Sequence, residues 1–274
     1  SETFTGTGAG NYRFTYQATT EATNTPKQVT VSSVSIDDKA YDAGTGGTIG
    51  GYTLSGVVGS ETLDLTGTAT FADKNVGSRI GVAVSSLTLG DGTATGDLSA
   101  GTAANYELVG ATFDTVGNIT PAVLTITGTD AATGGYTYTG KNTIELAAGS
   151  TISGLATGES LNITAMGTLS GADAGDYDGV TVAYTLADED GATDASGGLA
   201  RNYVIDTDAS DMSVDGISIG QAELTIKVND TVKLAGEIDP TFTFTFSGFV
   251  NGETSSVLSG LTATVGSPGT ADAQ

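Results

Sequence analysis

The stretch Thr120-Pro-Ala-Val-Leu-Thr-Ile126 has two counterparts in this chain, Thr25-Pro-Lys-Gln-Val-Thr-Val31 and Gly220-Gln-Ala-Glu-Leu-Thr-Ile226. Each copy ends with a Thr between two apolar residues, which is the alternation of a strand with one buried face. The copies start about 95 and 100 residues apart. A recurrence of this length indicates tandem modules of similar fold.

Two further marks recur in the same order. One is a Ser-Gly turn followed by a Gly-Ser or Gly-Glu step, and the other is an Asn-Tyr pair. The Ser-Gly turns are Ser55-Gly56, Ser153-Gly154 and Ser247-Gly248, and the Asn-Tyr pairs are Asn11-Tyr12, Asn105-Tyr106 and Asn202-Tyr203. We expect the tyrosine of each pair to bury its ring and to place its hydroxyl on the backbone.

Strand signals dominate between these marks. Phe242, Phe244 and Phe246 alternate with Thr, and the apolar runs elsewhere are rich in Val, Ile and Tyr. Gly-containing turns fall about every 8–12 residues, and no segment sustains a helical period. We therefore predict an all-β fold, built of tandem immunoglobulin-like Greek-key β-sandwich modules in an elongated array.

The phase of the marks predicts the module boundaries. Residues 25–119 and 120–219 form two whole modules, the second with an acidic insertion at 188–194 that we interpret as a loop. Residues 220–274 form the front half of a module, and residues 1–24 form the last strands of one.

Three interpretations of this split module stay open. The boundary is a cut within a longer repeat array, or residues 1–24 of one chain complete residues 220–274 of the next, or both halves close within one chain. The second interpretation predicts a contact that does not close on itself and so gives a filament.

Composition excludes several functions. The net charge is −23, from 32 acidic and 9 basic residues, so a nucleic-acid partner is not expected. No apolar run is long enough to insert into a membrane. The chain has no His and no Cys, which removes the usual nucleophilic triads and zinc ligands. We therefore do not expect an enzyme.

Calcium is the one cofactor that the acidic residues suggest. The loop with Asp188, Glu189, Asp190 and Asp194 could supply several hard oxygen ligands. A second cluster holds Asp206, Asp208 and Asp211, with Asp215 nearby. The alternative for both clusters is a solvated acidic loop.

Several segments resemble repeats of known families. Three runs are similar to the YDG repeat of large bacterial adhesins: Ala40-Tyr41-Asp42 to Thr45, Leu54-Ser55-Gly56 to Gly59, and Gly67-Thr68-Ala69 to Gly77. Residues 235–261 resemble the MBG repeat, which often accompanies it. The middle module departs from this pattern, because Tyr136-Thr-Tyr138 stands where the YDG signature is expected.

This resemblance implies an extracellular, secreted protein of the bacterial cell surface or biofilm matrix, related to filamentous-haemagglutinin-like adhesins. Its role would be cell adhesion through a stalk or filament, with neighbouring repeats or copies of the same chain as partners. The alternative is a module that binds a glycan, an extracellular polysaccharide or a host surface. Most of the 10 Tyr and 8 Phe lie at repeated or alternating positions, which core packing also explains.

Overall fold

The structure is a computed structural model that describes residues 6–13, 21–96, 98–128, 135–147, 151–234, 236–238 and 240–260. The predicted pieces of the split module therefore lie partly outside the described residues, since 1–5, 14–20 and 261–274 are left out.

The described residues form strands joined by turns, and the prediction of an all-β fold is confirmed. The strands are β1 Lys27–Ile36, β2 Lys39–Ala40, β3 Gly46–Gly47, β4 Ile49–Ser55, β5 Glu61–Phe71, β6 Gly77–Asp91, β7 Ser99–Ala100, β8 Tyr106–Val109, β9 Phe113–Thr120, β10 Ala122–Thr127, β11 Tyr136–Thr137, β12 Thr143–Leu146, β13 Thr151–Ser153, β14 Asn162–Thr168, β15 Gly175–Tyr177, β16 Val180–Ala187, β17 Tyr203–Ile205, β18 Ser213–Val214, β19 Ile217–Gly220, β20 Thr225–Val228 and β21 Phe244–Ser247.

Short 3-10 turns are the helical elements of the described residues, and none is long and apolar enough to cross a bilayer. They span Ala9–Asn11, Ala103–Asn105, Ala200–Asn202 and Ser255–Val257. The first three each lead directly into the tyrosine of an Asn-Tyr pair, so this recurring dipeptide marks a recurring local structure.

The chain divides into two compact units. The first holds the described residues of 1–37, 45–73 and 79–118, and the second holds those of 38–44, 74–78 and 119–274. Two short segments from the predicted first module, 38–44 and 74–78, thus belong to the second unit. The module boundaries that we drew from the repeat phase stay predictions.

In the first unit, β1 is the central strand of the sheet β4-β1-β8. It runs antiparallel to β4, with Thr30 opposite Ser55, and parallel to β8, with Lys27 opposite Tyr106. A second sheet has the order β9-β6-β5-β3, and β7 pairs with β5. Val29, Leu63 and Tyr106 form a buried cluster of this unit.

The second unit repeats the central part of this arrangement. Strand β10 is antiparallel to β13 and parallel to β17, in the sheet β13-β10-β17. Further sheets have the orders β12-β14-β16-β18, β11-β19-β15 and β20-β21, and β2 pairs with the end of β9. Val180 and Val182 of β16 are buried with Ile217 of β19, while Thr181 between the valines is exposed. These sheets fit β-sandwich packing, and the immunoglobulin-like Greek-key topology stays a prediction.

The Ser-Gly turns end equivalent strands, and each serine lies opposite the same threonine of its strand opener. Thr30 lies opposite Ser55, Thr125 opposite Ser153 and Thr225 opposite Ser247. The glycine that follows each serine has a positive φ, which is +96° at Gly154. A Cβ there would lie 2.1 Å from the Val123 carbonyl oxygen, so only glycine fits this close approach.

Candidate functional site

A buried carboxylate, Glu159, is the centre of the polar contacts in the second unit. A tight turn positions it, because the N–H of Glu159 donates to the carbonyl of Ala156 at 3.1 Å and Gly158 has a φ of +82°. The Glu159 side chain is only 6% exposed. An acidic group this deeply buried requires hydrogen-bond donors or a counter-charge around it.

Two tyrosines supply those donors. The hydroxyl of Tyr203, from β17, donates to Oε2 of Glu159 at 2.7 Å, and the hydroxyl of Tyr41 donates to Oε1 at 2.7 Å. The two rings meet edge to face, with centroids 5.4 Å apart. Both are buried, at 4% and 5% exposure. Hydrogen bonds to a charged acceptor are stronger than neutral ones, so this arrangement offsets part of the cost of burying the carboxylate.

Lys74 completes the charge balance, with its Nζ 3.4 Å from Oε1 of Glu159. We refer to Tyr41, Lys74, Glu159 and Tyr203 together as the tyrosine–glutamate junction. Tyr41 and Lys74 come from the segments 38–44 and 74–78, whereas Glu159 and Tyr203 come from residues 119–274. The junction therefore binds these short segments to the rest of the second unit.

A pair of buried asparagines lies beside the junction. Nδ2 of Asn202 donates to Oδ1 of Asn75 at 2.8 Å, and Oδ1 of Asn202 accepts from the backbone N–H of Val76 at 3.0 Å. Nδ2 of Asn75 donates to the carbonyl of Asp194 at 2.9 Å. The asparagines are 2% and 0% exposed. Satisfied buried amides require one geometry, so this pair defines how segment 74–78 lies on the unit.

Parts of the same arrangement recur elsewhere in the chain. In the first unit, the hydroxyl of Tyr106 donates to Oε2 of Glu61 at 2.5 Å. In the second unit, Tyr138 donates to Oε1 of Glu253. Tyr138 is the counterpart of Tyr41, because their N–H groups donate to the equivalent carbonyls of Gly220 and Thr120. The middle module thus keeps this tyrosine although it lacks the YDG signature.

The hydroxyl groups of Tyr106 and Tyr203 also contact the backbone, as predicted for the Asn-Tyr pairs, whereas the prediction of a buried ring is wrong for Tyr12, which is 73% exposed. The N–H of Val58 donates to the Tyr106 hydroxyl, and the N–H of Ala156 donates to the Tyr203 hydroxyl, each at 3.1 Å. The prediction of a buried ring with its hydroxyl on the backbone is confirmed for Tyr106 and Tyr203. The acceptors Glu61, Glu159 and Glu253 were missed. Their repeated Gly-Glu or Ser-Glu step, in phase with the tyrosines, is the signal that could have found them.

The surroundings of these phenols change their acidity. Burial, followed by the hydrogen bond to Glu159, raises the pKa of Tyr203 to about 12, and the same causes raise the pKa of Tyr41 further. The hydrogen bonds to Glu61 and Glu253 raise the pKa of Tyr106 and of Tyr138. All four phenols therefore stay protonated donors at neutral pH.

A pH dependence follows for the tyrosine–glutamate junction. Because the folded pKa of Tyr203 lies above the unfolded value of about 10, its contribution to stability is fully present below that pH. It is lost as the pH rises through about 12. We expect phenolate absorbance of the junction tyrosines to appear together with loss of the β-sheet circular dichroism. Tyr203→Phe should reduce the phenolate absorbance that appears near pH 12. Ionisation of every tyrosine at a pH below that of unfolding would contradict the prediction.

The first acidic cluster uses its carboxylates as loop acceptors. Asp188 accepts from the N–H of Ala200, Glu189 from the N–H of Gly198, and Asp190 from Nδ2 of Asn162. Asp194 forms an exposed ion pair with Arg201. Residues 188–194 form a loop, as we predicted.

The second acidic cluster is arranged similarly. Asp206 accepts from the N–H of Asp208, and Asp211 accepts from the N–H of Gly128. Asp215 accepts from the N–H of Gly179. Across the described ranges, no group of three or more acidic side chains is placed to hold a metal ion. The structure does not bring the suggested ligands together, and calcium binding stays a prediction.

These observations define the class of protein as an all-β chain in which strand openers, Ser-Gly turns and a tyrosine–glutamate contact recur. Comparison with family models then gives two matches, a YDG domain at residues 25–113 and an MBG domain of the YGX type at residues 224–271. Both agree with the resemblance seen in the sequence. Searches among curated proteins and among solved structures gave no match.

Proposed function

We propose that this chain is a structural segment of a secreted bacterial adhesin, and that its modules act as spacers in a stalk or filament of the cell surface or biofilm matrix. The observation that supports this most is the tyrosine–glutamate junction. It buries a charged acceptor and two phenols in a contact between the segments 38–44 and 74–78 and residues further along the chain. The matches to YDG and MBG domains agree with a repeat protein.

A spacer has to transmit tension, and the junction suits that role. Segments 38–44 and 74–78 are each continuous on both sides with residues of the first unit. Pulling these segments away from residues 119–274 therefore requires breaking the buried Tyr41–Glu159 hydrogen bond and the Asn75–Asn202 pair. Polar contacts of this kind require a defined geometry to form.

The proposal assigns no enzymatic activity to the chain and places it outside the cell. Its surface is polar through Thr, Ser, Asn and Gly more than through charge, because only 15% of the residues are charged. That composition is common in secreted β-proteins.

The alternative of a glycan- or surface-binding module has less support. Such sites usually present exposed aromatic rings, and among the described residues the exposed ones are Tyr12 and Tyr52. The Tyr52 hydroxyl donates to the carbonyl of Leu63, which ties it to the sheet. Binding of the chain to a glycan array would favour this alternative.

Labelling the producing bacterium tests the proposal. Antibodies raised against this chain should mark the cell exterior or the matrix between cells, as seen by immunogold electron microscopy. An in-frame deletion of residues 25–219 should bring the label closer to the cell and weaken attachment to surfaces. Label confined to the cytoplasm, or attachment unchanged by the deletion, would overturn the proposal.

A further inference from the structure

A cavity of about 400 Å³ lies beside the strand opener of the MBG-type segment, in the second unit. Ala222 and Leu224 line one side of it, and Val250 and Glu253 line another. Tyr138 also borders the cavity and donates to Oε1 of Glu253.

The equivalent position is filled by a tyrosine in two other places in this chain. Tyr203 pairs with Ala122, accepts from the N–H of Ala156 and donates to Oε2 of Glu159. Tyr106 pairs with Lys27 and makes the same two kinds of contact, with Val58 and Glu61.

The cavity presents the same groups. The N–H of Glu253 donates to the carbonyl of Val250, just as that of Glu159 donates to Ala156. Val250 and Glu253 are therefore the counterparts of Ala156 and Glu159, and Ala222 is the counterpart of Ala122. The cavity has the contacts that a tyrosine of an Asn-Tyr pair would use.

The asparagine of the pair also has matching partners. Asn202 is held by Asn75 and by the N–H of Val76. The N–H of Phe71 donates to Thr45 and that of Leu169 to Asn142, which makes Phe71 and Leu169 equivalent. Asn75 and Val76 lie four and five residues after Phe71, and Asp173 and Ala174 lie four and five residues after Leu169. Asp173 is therefore the counterpart of Asn75, and Ala174 is the counterpart of Val76.

Both Asp173 and Ala174 line the cavity. A carboxylate accepts a hydrogen bond from an asparagine amide at least as well as another amide does. A docked asparagine would donate its Nδ2 to Asp173 and accept from the N–H of Ala174, repeating the contacts that Asn202 makes.

The chain also carries a segment of the matching form. Ala9–Asn11 is a 3-10 turn followed by Tyr12 with φ −124° and ψ 140°. Tyr106 and Tyr203 follow equivalent turns with φ and ψ of −131° and 152°, and −132° and 154°. Yet Tyr12 is 73% exposed, whereas Tyr106 and Tyr203 are buried. The segment has the conformation of an inserted strand while its ring lies in solvent.

Charge supports this partner. In the parallel pair of β10 and β17, Tyr203 lies opposite Ala122 and the next residue, Val204, lies opposite Val123. The same register at the cavity would place Tyr12 opposite Ala222 and Arg13 opposite Glu223. Glu223 is exposed, and opposite charges that face each other across strands are favourable.

We propose that this cavity is a docking site for Ala9–Arg13 of a second copy of the chain. Tyr12 donates to Glu253 beside Tyr138, Asn11 bridges Asp173 and Ala174, and Arg13 faces Glu223. The contact joins two different surfaces, so it propagates head to tail instead of closing a dimer. This inference rests on the proposed function, because it names the partner of the stalk or filament.

A peptide of residues 6–20 is the probe for the docking site. We expect it to bind the full chain carrying Tyr12→Ala, in which the competing segment is inactivated. Tyr12→Ala in the peptide should weaken binding at least about tenfold, because Glu253 and the Val250 N–H lose their partner. On the receptor side Asp173→Ala should weaken binding similarly. Asp173 is exposed, and circular dichroism checks that this variant is still folded. Asp176→Ala, an exposed carboxylate of β15, is the matched control and should bind like the parent.

Crosslinking identifies the occupant. The chain has no cysteine, so every disulfide of the double variant Arg13→Cys and Glu223→Cys joins introduced residues. Each single variant can pair only with the same position of another copy, and both single variants should stay monomeric under the same oxidation. A ladder of covalent multimers under oxidising conditions supports a second copy. A covalent monomer shows closure within one chain and overturns the proposed partner, and failure of the peptide to bind overturns the docking site itself.

These outcomes are separate from the test of the proposed function. Exterior labelling of cells combined with no peptide binding would leave a stalk without this docking contact. Cytoplasmic label combined with a crosslinked ladder would leave a polymerising chain that is not an adhesin.

Discussion

Glu159→Ala should lower the free energy of unfolding of the second unit by about 3 kcal/mol or more, because two hydrogen bonds to a charged acceptor are lost. The hydroxyl of Tyr41 then has no acceptor at the junction, and Lys74 is left without its counter-charge. The carboxylate is nearly buried, so solvent does not substitute for it. Urea denaturation followed by circular dichroism measures the change.

Two controls separate the junction from general damage. Glu145→Ala removes an exposed carboxylate of β12 and should change the free energy of unfolding by no more than about 0.5 kcal/mol. A double-mutant cycle of Tyr41→Phe with Glu159→Ala should give a coupling of about 1 kcal/mol or more. Equal effects of Glu159→Ala and Glu145→Ala would show that the junction does not stabilise the unit.

Gly154→Ala should be still more damaging, with a loss of about 4 kcal/mol or more, which is exceptional for a single substitution. Alanine is strained at the φ of +96°, and its Cβ would lie 2.1 Å from the Val123 carbonyl oxygen. Strand β10 would have to move away from the turn, and its pairing with β13 would be disturbed. Thermal or urea unfolding of the variant measures the loss.

Gly191→Ala is the matched control for this effect. Gly191 has a φ of +79°, but nothing lies within 4 Å of an added Cβ. Its substitution should cost only the backbone strain, about 1–2 kcal/mol. The difference between the stability losses of Gly154→Ala and Gly191→Ala measures the cost of the steric clash between the turn and β10. Similar losses would show that this clash does not account for the effect of Gly154→Ala.

Features of the fold that repeat along the chain were predictable from the sequence. The strand openers became β1, β10 and β20, and the Ser-Gly turns end their antiparallel partners β4, β13 and β21 in the same register. These elements follow from local rules, because the apolar-Thr-apolar alternation and a glycine with positive φ each act within a few residues.

The partners of the buried polar groups were not predictable in the same way. Tyr41 and Glu159 are 118 residues apart, and a repeat period identifies equivalent residues without saying which of them touch. The assignment of segments 38–44 and 74–78 to the second unit had no local signal either.

The acidic clusters illustrate the opposite difficulty. Asp188, Glu189 and Asp190 are adjacent in sequence, which suggested that they bind one calcium ion together. In the structure each accepts from a different donor, Ala200, Gly198 and Asn162. Neighbouring residues in a loop point in different directions, so proximity along the chain does not by itself create a coordination site.

The recurrence of tyrosine donors and glutamate acceptors also limits how the length of such a repeat protein can change. Residues 25–119 carry a donor, Tyr41, and an acceptor, Glu61, and residues 120–219 carry Tyr138 and Glu159. Tyr41 and Tyr138 each donate to a glutamate of the following repeat period, Tyr41 to Glu159 and Tyr138 to Glu253. A change in length by a whole period therefore leaves each such tyrosine one period before a glutamate, whereas a change by part of a period would separate Tyr41 from the position of Glu159. Length variation in whole periods is thus the form of change that this architecture tolerates.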